Sequence, residues 1–297
     1  MNFDPQSIMR SYVEDTLPLE EMLSVKNKVA IVTGGNSGLG FCVAQRLCQG
    51  GAKVVLAASN DEKGKFAVEL LKEKKFDVTF CRTNLHSEAD VENLVAFTAK
   101  TYGSVDILVT AGGAWGFAHV YDLPEKDFMD LIDLNLTGTF RCAKHVSRYM
   151  IDHQIAGKMV FVSTNAVWLT QPVFGGYPHY VASKGGVMAM TQEIAKELKR
   201  FGIMVNCVAP GGMWTPGTLT NGVSPSLPPE KQQELGVEIM VQKGDSVPTA
   251  DSVAIVIYGL CTKMADGLTG ETVVADGGHM RNIVSHQPAI EEYPPTT

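Results

Sequence analysis

The sequence lacks the features that mark membrane, secreted and nucleic-acid-binding proteins. No apolar run is long enough to span a bilayer, and the acidic segment Met1 to Leu19 has neither the basic start nor the apolar stretch of a signal peptide. No run of five or more basic residues occurs, and the net charge of −7 is spread along the chain. We therefore expect a cytoplasmic protein with no membrane partner and no nucleic-acid partner, acting on a small molecule.

Closely spaced metal ligands and paired cysteines are missing as well. The six cysteines show no Cys-x-x-Cys spacing and fall mostly in apolar segments, as is typical of reduced, buried thiols. None of the seven histidines forms a short-spaced pair with another ligand of the kind that zinc requires. The sequence thus predicts neither a disulfide framework nor a metal site.

The sequence does contain seven short β-branched runs that alternate with helix-length segments, within a chain of 297 residues that is 45% hydrophobic. This alternation predicts an α/β domain over 28–278, with one doubly wound parallel sheet and helices on both faces. Residues 1–27 form an arm whose apolar residues we expect to pack on the body or on a neighbouring subunit; 215–247 form a lid, and 279–297 a tail. The strands are predicted at Lys28–Thr33, Lys53–Ala58, Asp77–Arg82, Asp106–Thr110, Met159–Ser163, Met204–Val208 and Thr272–Ala275, and packing helices at Phe41–Gln49, Val91–Tyr102, Glu125–Asp152 and Tyr180–Phe201.

A glycine-rich turn follows the first strand and opens the first helix. Gly34, Gly38 and Gly40 stand there in the sequence Thr-Gly-Gly-Asn-Ser-Gly-Leu-Gly. Missing side chains let the backbone approach a pyrophosphate, whose charge is favoured at the positive end of the helix. A turn that needs only positive φ is the alternative for such a motif alone, but the strand-to-helix context favours a nucleotide.

Tyr180 and Lys184 lie four residues apart, which places both side chains on one face of a helix. An ammonium group beside a phenol favours the ionised form, so we expect the lysine to lower the pKa of the tyrosine. A phenol left alone, with a pKa near 10, is a poor base at neutral pH. The pair therefore predicts proton exchange with a carbonyl or alcohol oxygen.

Five ordered motifs between Lys28 and Gly278 together resemble the short-chain dehydrogenase/reductase family. They are the glycine turn, Asn135 within Asp-Leu-Asn-Leu-Thr-Gly, the Tyr180 and Lys184 pair, Asn206 ahead of Val-Ala-Pro-Gly, and the terminal Asp276-Gly277-Gly278. The resemblance implies a Rossmann-type fold and an NAD(P)-dependent oxidoreductase. By this resemblance, Tyr180 would donate and accept the proton, Lys184 would bind the nicotinamide ribose, and Asn135 would hold a water molecule of the proton relay.

The resemblance also assigns the residues that bind the nucleotide. The glycine turn would hold the pyrophosphate, and Asn84 with Leu85 would flank the adenine. The remaining positions are the small residues after the fourth strand and the turn that would hold the nicotinamide carboxamide. The full set is Gly34, Asn36, Ser37, Gly38, Leu39, Gly40, Ser59, Asn60, Asn84, Leu85, Ala111, Gly112, Tyr180, Lys184, Pro210, Gly211, Met213 and Thr215.

Two departures from the family pattern concern the catalytic hydroxyl and the fourth strand. The family's serine usually lies thirteen residues before the tyrosine, where this chain has Val167; counting from the preceding strand places Thr164 in that role, with Ser163 as the alternative. The family's Asn-Asn-Ala-Gly is replaced by the segment from Thr110 to Gly113, so the hydrogen bonding there must differ.

The nucleotide is expected to be NAD(H). The second strand ends in Ala-Ser59-Asn60, which offers no acid to the adenosine ribose and no arginine to a 2′-phosphate. Burying a phosphate without a cation costs more than forgoing one hydrogen bond to a ribose hydroxyl. NADP(H) stays open, because Lys63 near the start of the next helix is able to pair with a phosphate.

The substrate pocket is expected to be apolar and aromatic. We assign it to 114–117, 168–177 and the lid, with Met213 and Trp214 at its base. Large flat surfaces favour a ring-system ketone or alcohol, and the chain resembles bacterial hydroxysteroid dehydrogenases, including the 20β type. A polyol or gluconate dehydrogenase is the second interpretation, and a catalytically inactive nucleotide-binding regulator is the third. The two longest helices are expected to build a homotetramer.

Overall fold

Seven parallel strands form the centre of the computed structural model, which describes residues 4, 6, 9–10, 16–118, 120–121, 123–169, 176–213, 215 and 248–278. The strand order is β3-β2-β1-β4-β5-β6-β7. All six neighbouring pairs are parallel. The strands are β1 (Val29–Thr33), β2 (Lys53–Ala58), β3 (Val78–Arg82), β4 (Ile107–Thr110), β5 (Lys158–Val162), β6 (Met204–Pro210) and β7 (Thr272–Ala275). The predicted doubly wound sheet is confirmed.

Helices cover both faces of the sheet. The long ones are α2 (Gly38–Gln49), α3 (Asp61–Glu73), α4 (Glu88–Tyr102), α5 (Glu125–Ile132), α6 (Gly138–Asp152), α7 (Pro178–Leu198) and α8 (Ala250–Leu260), after the short α1 (Leu19–Met22). Successive strand residues face opposite sides, so Ile31 packs under one set of helices while its neighbours Ala30 and Val32 pack under the other. One apolar layer joins α2, α3 and α8 to the sheet, and the second joins α4, α6 and α7.

The ends of the helices follow capping rules that are legible in the sequence. Asn60 accepts a hydrogen bond from the Lys63 N–H at the start of α3, and Ser87 accepts one from the Asp90 N–H at the start of α4. Gly103 and Gly202 adopt left-handed conformations where α4 and the segment after α7 end. Gly202 ends a short 3-10 turn, Lys199–Phe201, which is where the predicted helix Tyr180–Phe201 was expected to end.

The predicted helix Glu125–Asp152 contains an irregularity that the sequence did not reveal. Its backbone runs through α5, then a π-helical turn at Asp133–Thr137, then α6. The extra residue in a π-turn changes the direction in which a side chain points, and such turns are frequent at functional sites. Asn135 lies in the middle of this turn.

The base of the predicted arm is attached to the body. Val25 is buried, its N–H donates to the Gly50 carbonyl at 3.2 Å, and the Tyr258 hydroxyl donates to the Leu23 carbonyl. Most of 1–15 in the arm, the predicted lid beyond Thr215, the segment 170–175 and the tail from 279 lie outside the described residues. In the part of the chain that the structure describes, every helix is too short or too polar to cross a lipid bilayer.

Candidate active site

The strand order reverses between β1 and β4, and the candidate site lies beyond the carboxyl ends of these two strands. From β1 the chain proceeds outward to β2 and β3, and then returns to place β4 on the other side of β1. Loops after adjacent strands diverge at such a point and leave a crevice. The glycine turn follows β1, and Ala111 to Gly113 follow β4, so both predicted cofactor segments border the crevice.

The glycines in these two segments are required by close backbone contact. Gly34 has φ +66°, and a Cβ on it would lie 2.7 Å from the Gly112 Cα. A Cβ on Gly40 would lie 2.3 Å from the Gly34 carbonyl oxygen, so the turn folds directly onto α2. The Gly34 N–H donates to the Ala57 carbonyl at 2.8 Å, which fixes the turn against β2. The glycine turn and the segment after β4 thus enclose a space that we call the glycine cradle. A side chain at Gly34 or Gly40 would fill this space or push its two walls apart.

The cradle fits the pyrophosphate of a dinucleotide. Gly38 has φ +54° at the first residue of α2, where the backbone N–H groups of a twelve-residue helix have no helical partners. Ser37 is exposed and Asn36 half-buried beside this turn, while Leu39 is buried in the core, so only its backbone borders the turn. The side chain of Thr215 lies across from Gly38, 3.3 Å from where a Cβ would stand. Asn36, Ser37 and Thr215 therefore border the cradle from both sides.

The predicted adenosine residues lie at the ends of β2 and β3. Ser59 and Asn60 are exposed, although the Asn60 side chain already caps α3. A Cβ on Gly112 would lie 3.1 Å from Leu85, which brings the loop after β3 to the edge of the crevice. The Arg141 guanidinium donates to the Leu85 carbonyl at 2.8 Å and holds this loop from α6.

Arg82 is a residue of this region that the sequence analysis missed. It ends β3 in register with Ala58 of β2, and its Nε donates to the Ser59 carbonyl at 3.3 Å. The end of β2 contains no arginine, as the sequence shows, but β3 supplies one beside Ser59. The parallel register of β2 and β3 is the signal that finds it, because residues at the ends of paired strands are neighbours.

Asn135 is completely buried and has three hydrogen bonds around its amide. Its Nδ2 donates to the Ala114 carbonyl at 2.8 Å and to the Ser183 Oγ at 3.1 Å, and its Oδ1 accepts from the Ala114 N–H at 2.9 Å. The asparagine thus ties the π-turn to the segment after β4 and to α7. Ser183 is a second residue that the motif comparison did not select.

Lys184 is buried and points toward the same place. Its Nζ donates to the Val162 carbonyl at 2.8 Å. A Cβ on Gly113 would lie 3.4 Å from this Nζ and 2.7 Å from the Asn135 Oδ1. Burial lowers the pKa of Lys184 to about 8, against a smaller opposite effect of Cys207. The structure therefore brings Asn135 and Lys184 together over the residues that follow β4.

Tyr180 lies one turn before Lys184 on α7, and its phenol lies beside the side chain of Thr164. Burial raises the pKa of Tyr180 to about 12; the neighbouring Thr164 hydroxyl lowers it and the neighbouring Tyr177 raises it further. The expectation that Lys184 makes this phenol more acidic is wrong for this structure, because desolvation of the phenolate is the largest effect. The phenol is protonated at neutral pH.

The two candidate hydroxyls of the loop after β5 have different partners. The Ser163 Oγ is buried and donates to the Lys184 carbonyl at 2.8 Å, which fixes β5 to α7. Thr164 contacts the phenol of Tyr180, and its Oγ1 also accepts from the Ala166 N–H at 3.2 Å. The three-residue displacement from Val167 is therefore spanned by a short 3-10 turn, Asn165–Val167.

Aromatic rings form a continuous wall beside Tyr180. Trp115 meets Phe117 edge to face at 5.4 Å between ring centroids, and Phe117 meets Tyr177 at 5.1 Å. Tyr177 in turn lies 5.7 Å from Tyr180. The Ala118 N–H donates to the Gly176 carbonyl at 3.0 Å and joins the two segments that carry the wall. Predicted pocket residue Trp214 lies outside the described residues.

The turn predicted to hold the nicotinamide follows β6. Pro210 is buried at the end of β6, and the Gly211 N–H donates to the Ala275 carbonyl of β7 at 3.3 Å. Met213 is half-buried against the apolar layer of α2 and α8. Behind Gly211 lie the buried side chains of Asn165 and Asp276, joined by a hydrogen bond of 3.0 Å.

These observations define a nicotinamide-nucleotide oxidoreductase of the short-chain type, and comparison with known proteins agrees. The family model described as short chain dehydrogenase matches residues 28–222. The chain belongs to this family, whose members use NAD(P)(H) and act on small molecules.

Individual relatives extend the match over most of the chain. The (21S)-21-acetoxyl-apo-melianone synthase SDR of Melia azedarach is 35% identical over 257 residues, covering 86% of this chain and 90% of the relative. Dehydrogenase/reductase SDR family member 4 of Bos taurus is 31% identical over 258 residues, covering 86% and 88%. Among solved structures, an actinorhodin polyketide ketoreductase with NADPH is similar with a TM-score of 0.72 and 28% identity, covering 84% of this chain and 96% of the other. The protein is therefore an enzyme, and the alternative of an inactive regulator is not favoured.

Proposed function

We propose that the enzyme interconverts a secondary alcohol and a ketone on a bulky, apolar ring system such as a hydroxysteroid. The observation that carries the proposal is the phenol of Tyr180, which lies beside the Thr164 side chain at one end of an aromatic wall. A reacting oxygen placed there would meet a proton donor and a second hydroxyl, while the attached rings would lie against Phe117 and Tyr177.

The protonated Tyr180 supplies the proton that ketone reduction requires. As the carbonyl carbon gains a hydride, its oxygen becomes an alkoxide and takes the proton from the Tyr180 Oη. The Thr164 hydroxyl donates to the developing oxyanion, and Asn135 and Lys184 hold the proton relay and the ribose in the roles that the family implies. A bound nicotinamide nucleotide supplies the hydride in this direction and accepts it in the other. The glycine cradle would hold its pyrophosphate, and Pro210, Gly211, Met213 and Thr215 would hold its carboxamide end.

For the nucleotide, we expect NAD(H) to bind and Arg82 to admit NADP(H) as well. Ser59 and Asn60 present polar atoms to a ribose without an acidic group that would repel a phosphate. Arg82 places a guanidinium against Ser59, and arginine is a preferred phosphate partner. The related ketoreductase contains NADPH, which supports this second nucleotide.

The substrate class is supported by the apolar wall and by the names of two relatives. One relative is named for synthesis of a melianone and another for reduction of a polyketide. A polyol or gluconate substrate would require polar partners, whereas the wall offers Trp115, Phe117 and Tyr177. The two substrate classes are distinguished by initial rates of reduction of cortisol-like steroids and of keto-sugars, each measured with NADH and with NADPH. Reaction of the keto-sugars alone would reverse the assignment.

The assigned proton donor is tested by Tyr180→Phe. This variant should bind NADH as the wild type does and should lose turnover by at least about 10²-fold, because the phenylalanine has no proton to transfer. Tyr177→Phe is the matched control, since it removes a neighbouring phenol and keeps the ring in the wall. Turnover that survives in Tyr180→Phe with normal nucleotide binding would show that the assignment is incorrect.

We further propose a cytoplasmic homotetramer assembled through the two long helical segments, the first made of α5 and α6 and the second of α7. Met129 on α5 and Phe140 on α6 are exposed, at 54% and 48%, on the helices that the sequence analysis assigned to assembly. Light scattering coupled to gel filtration should give four times the chain mass for the wild type and a smaller species for Phe140→Glu. A monomeric wild type would refute the assembly.

A further inference from the structure

A buried amide and a buried carboxylate join distant segments directly behind the candidate active site. The Asn165 Nδ2 donates to the Asp276 Oδ2 at 3.0 Å, across 111 residues of sequence. Both side chains are nearly inaccessible, with 3% and 5% of their surface exposed. The second carboxylate oxygen, Oδ1, accepts from the Gly278 N–H at 2.9 Å. Charge-assisted hydrogen bonds between buried groups are strong and fix geometry.

Three loops meet at this pair. Asn165 directly follows Thr164, whose hydroxyl contacts the phenol of Tyr180. Asp276 directly follows β7. Gly211, after β6, packs onto both, because a Cβ on it would lie 2.8 Å from the Asp276 Cβ and 3.5 Å from the Asn165 Nδ2. The loop with the catalytic hydroxyl and the turn for the nicotinamide therefore rest on the same hydrogen bond.

We propose that Asn165 and Asp276 are positioning residues, which together set the distance between the Thr164 hydroxyl and the turn at Gly211. The proposal rests on the proposed function, because it concerns how the hydroxyl and the nicotinamide end of the nucleotide are held relative to each other. Neither side chain touches the reacting atoms. Their contribution is to keep two loops of different strands in register, and small displacements of reacting groups are enough to slow an enzyme strongly.

The local backbone explains why such a link is needed. Thr164 is extended, with φ −159° and ψ 147°, and the 3-10 turn that follows it has only three residues. Short 3-10 turns have poor hydrogen-bond geometry and provide little rigidity of their own. The Asp276 side is a turn as well, since Gly277 and Gly278 have φ of 66° and 86°. A hydrogen bond between the two turns supplies the rigidity that neither has alone.

The test compares NADH with ADP-ribose, which contains the adenosine, the pyrophosphate and the second ribose of the nucleotide and lacks only the nicotinamide ring. In Asn165→Leu, we expect the affinity for NADH to fall about tenfold while the affinity for ADP-ribose stays within about twofold of the wild type. Both are measured by isothermal titration calorimetry, so this part needs no carbonyl substrate. Turnover of any ketone that the wild type reduces should fall roughly 10- to 100-fold.

The exchange of the two groups is the decisive variant. With Asn165→Asp and Asp276→Asn together, the new amide donates to the new carboxylate and its Oδ1 accepts from the Gly278 N–H, so both hydrogen bonds are kept. NADH affinity should return to within about threefold of the wild type. Asn165→Asp alone should be the worst variant, because it buries two carboxylates against each other.

Asn206→Leu is the matched control. Asn206 is also a buried amide, at 1% exposure, and its Nδ2 donates to the Leu268 carbonyl at 2.9 Å, away from Thr164. This variant should have lower thermal stability than the wild type, but the ratio of its affinities for NADH and ADP-ribose should stay unchanged. The positioning role is overturned if Asn165→Leu binds NADH like the wild type, if it loses both ligands by the same factor, or if the exchange rescues nothing. A wild type that binds neither NADH nor NADPH would instead refute the proposed function.

Discussion

Replacing Lys184 with methionine should change how the stability of the protein depends on pH. The ammonium is buried, with 5% of the residue exposed, and the pKa of the lysine falls from its ordinary 10.5 to about 8. Between these two values the unfolded chain carries a proton on Lys184 that the folded chain has released. Stability therefore rises with pH across this window, because the unfolded state binds more protons than the folded state.

The magnitude follows from the two pKa values. Between pH 7 and pH 9, Lys184 in the folded protein, with a pKa of about 8, changes from mostly protonated to mostly deprotonated. In the unfolded chain it stays mostly protonated over the same range. This difference adds about 1 kcal/mol to the free energy of unfolding of the wild type over two pH units. Methionine cannot titrate, so the variant should lack this gain. The hydrogen bond to the Val162 carbonyl is lost in the variant at both pH values and cancels from the comparison.

The assay is urea unfolding of the wild type and the variant at pH 7 and pH 9, at one protein concentration. Buried thiols whose raised pKa values do not depend on Lys184, such as Cys142 and Cys261, titrate in both proteins and cancel as well. Lys196→Met is the control, because that lysine lies on the same helix with an exposed side chain paired to Glu193. Equal pH responses in wild type and Lys184→Met would show that the lysine is not held in a desolvated state, and the burial argument would fail.

Three further predictions concern the chemistry of the site. Thr164→Ala should lower kcat by about 10²-fold in steady-state kinetics, because the variant has no hydroxyl to donate to the oxyanion. Ser163→Ala should leave kcat near the wild-type value and lower the free energy of urea unfolding by about 1 kcal/mol, since the Ser163 hydroxyl donates to the Lys184 carbonyl. The reverse pattern would exchange the roles of the two residues. Arg82→Leu should weaken NADPH binding at least about tenfold and leave NADH binding within about twofold of the wild type, measured by fluorescence titration, because NADH has no 2′-phosphate for the guanidinium beside Ser59 to bind; equal effects on both nucleotides would contradict this. The rate of alcohol oxidation should keep rising from pH 7 to pH 10, because Tyr180 with a pKa of about 12 is mostly protonated throughout; a plateau below pH 9 would mean that the phenol ionises earlier in the working enzyme.

The sheet and the location of the site were predictable because they depend on short-range patterns. Buried parallel strands read as β-branched apolar runs, and all seven runs became strands in one sheet. Once the strands are parallel, the residues after each of them collect at one edge. The glycine turn after β1, Gly112 after β4 and Thr164 after β5 were therefore expected as neighbours, and close contacts join Gly34 to Gly112.

Features that depend on strand register and distant contacts were not predictable in this way. Arg82 lies beside Ser59 only because β2 and β3 pair with Ala58 opposite Arg82. Asn165 and Asp276 are 111 residues apart in the sequence, and they are joined only because the loops after β5, β6 and β7 pack together. The π-turn at Asn135 has no compositional signal of its own, since it occupies an ordinary amphipathic segment. None of these three features can be predicted from the local pattern of residues in one sequence.

The pKa of Tyr180 shows why the spacing of two residues does not determine their electrostatics. Four residues on a helix place Lys184 on the same face as the phenol, which predicts an acidic tyrosine. In the structure the ammonium donates to the Val162 carbonyl, and the phenol lies beside the Thr164 side chain. Burial raises the pKa of the acid and lowers that of the base, since it disfavours the charged form of each. The Tyr180 phenol therefore rests as a proton donor, and the protonation state of the site at neutral pH is the one from which a ketone is reduced.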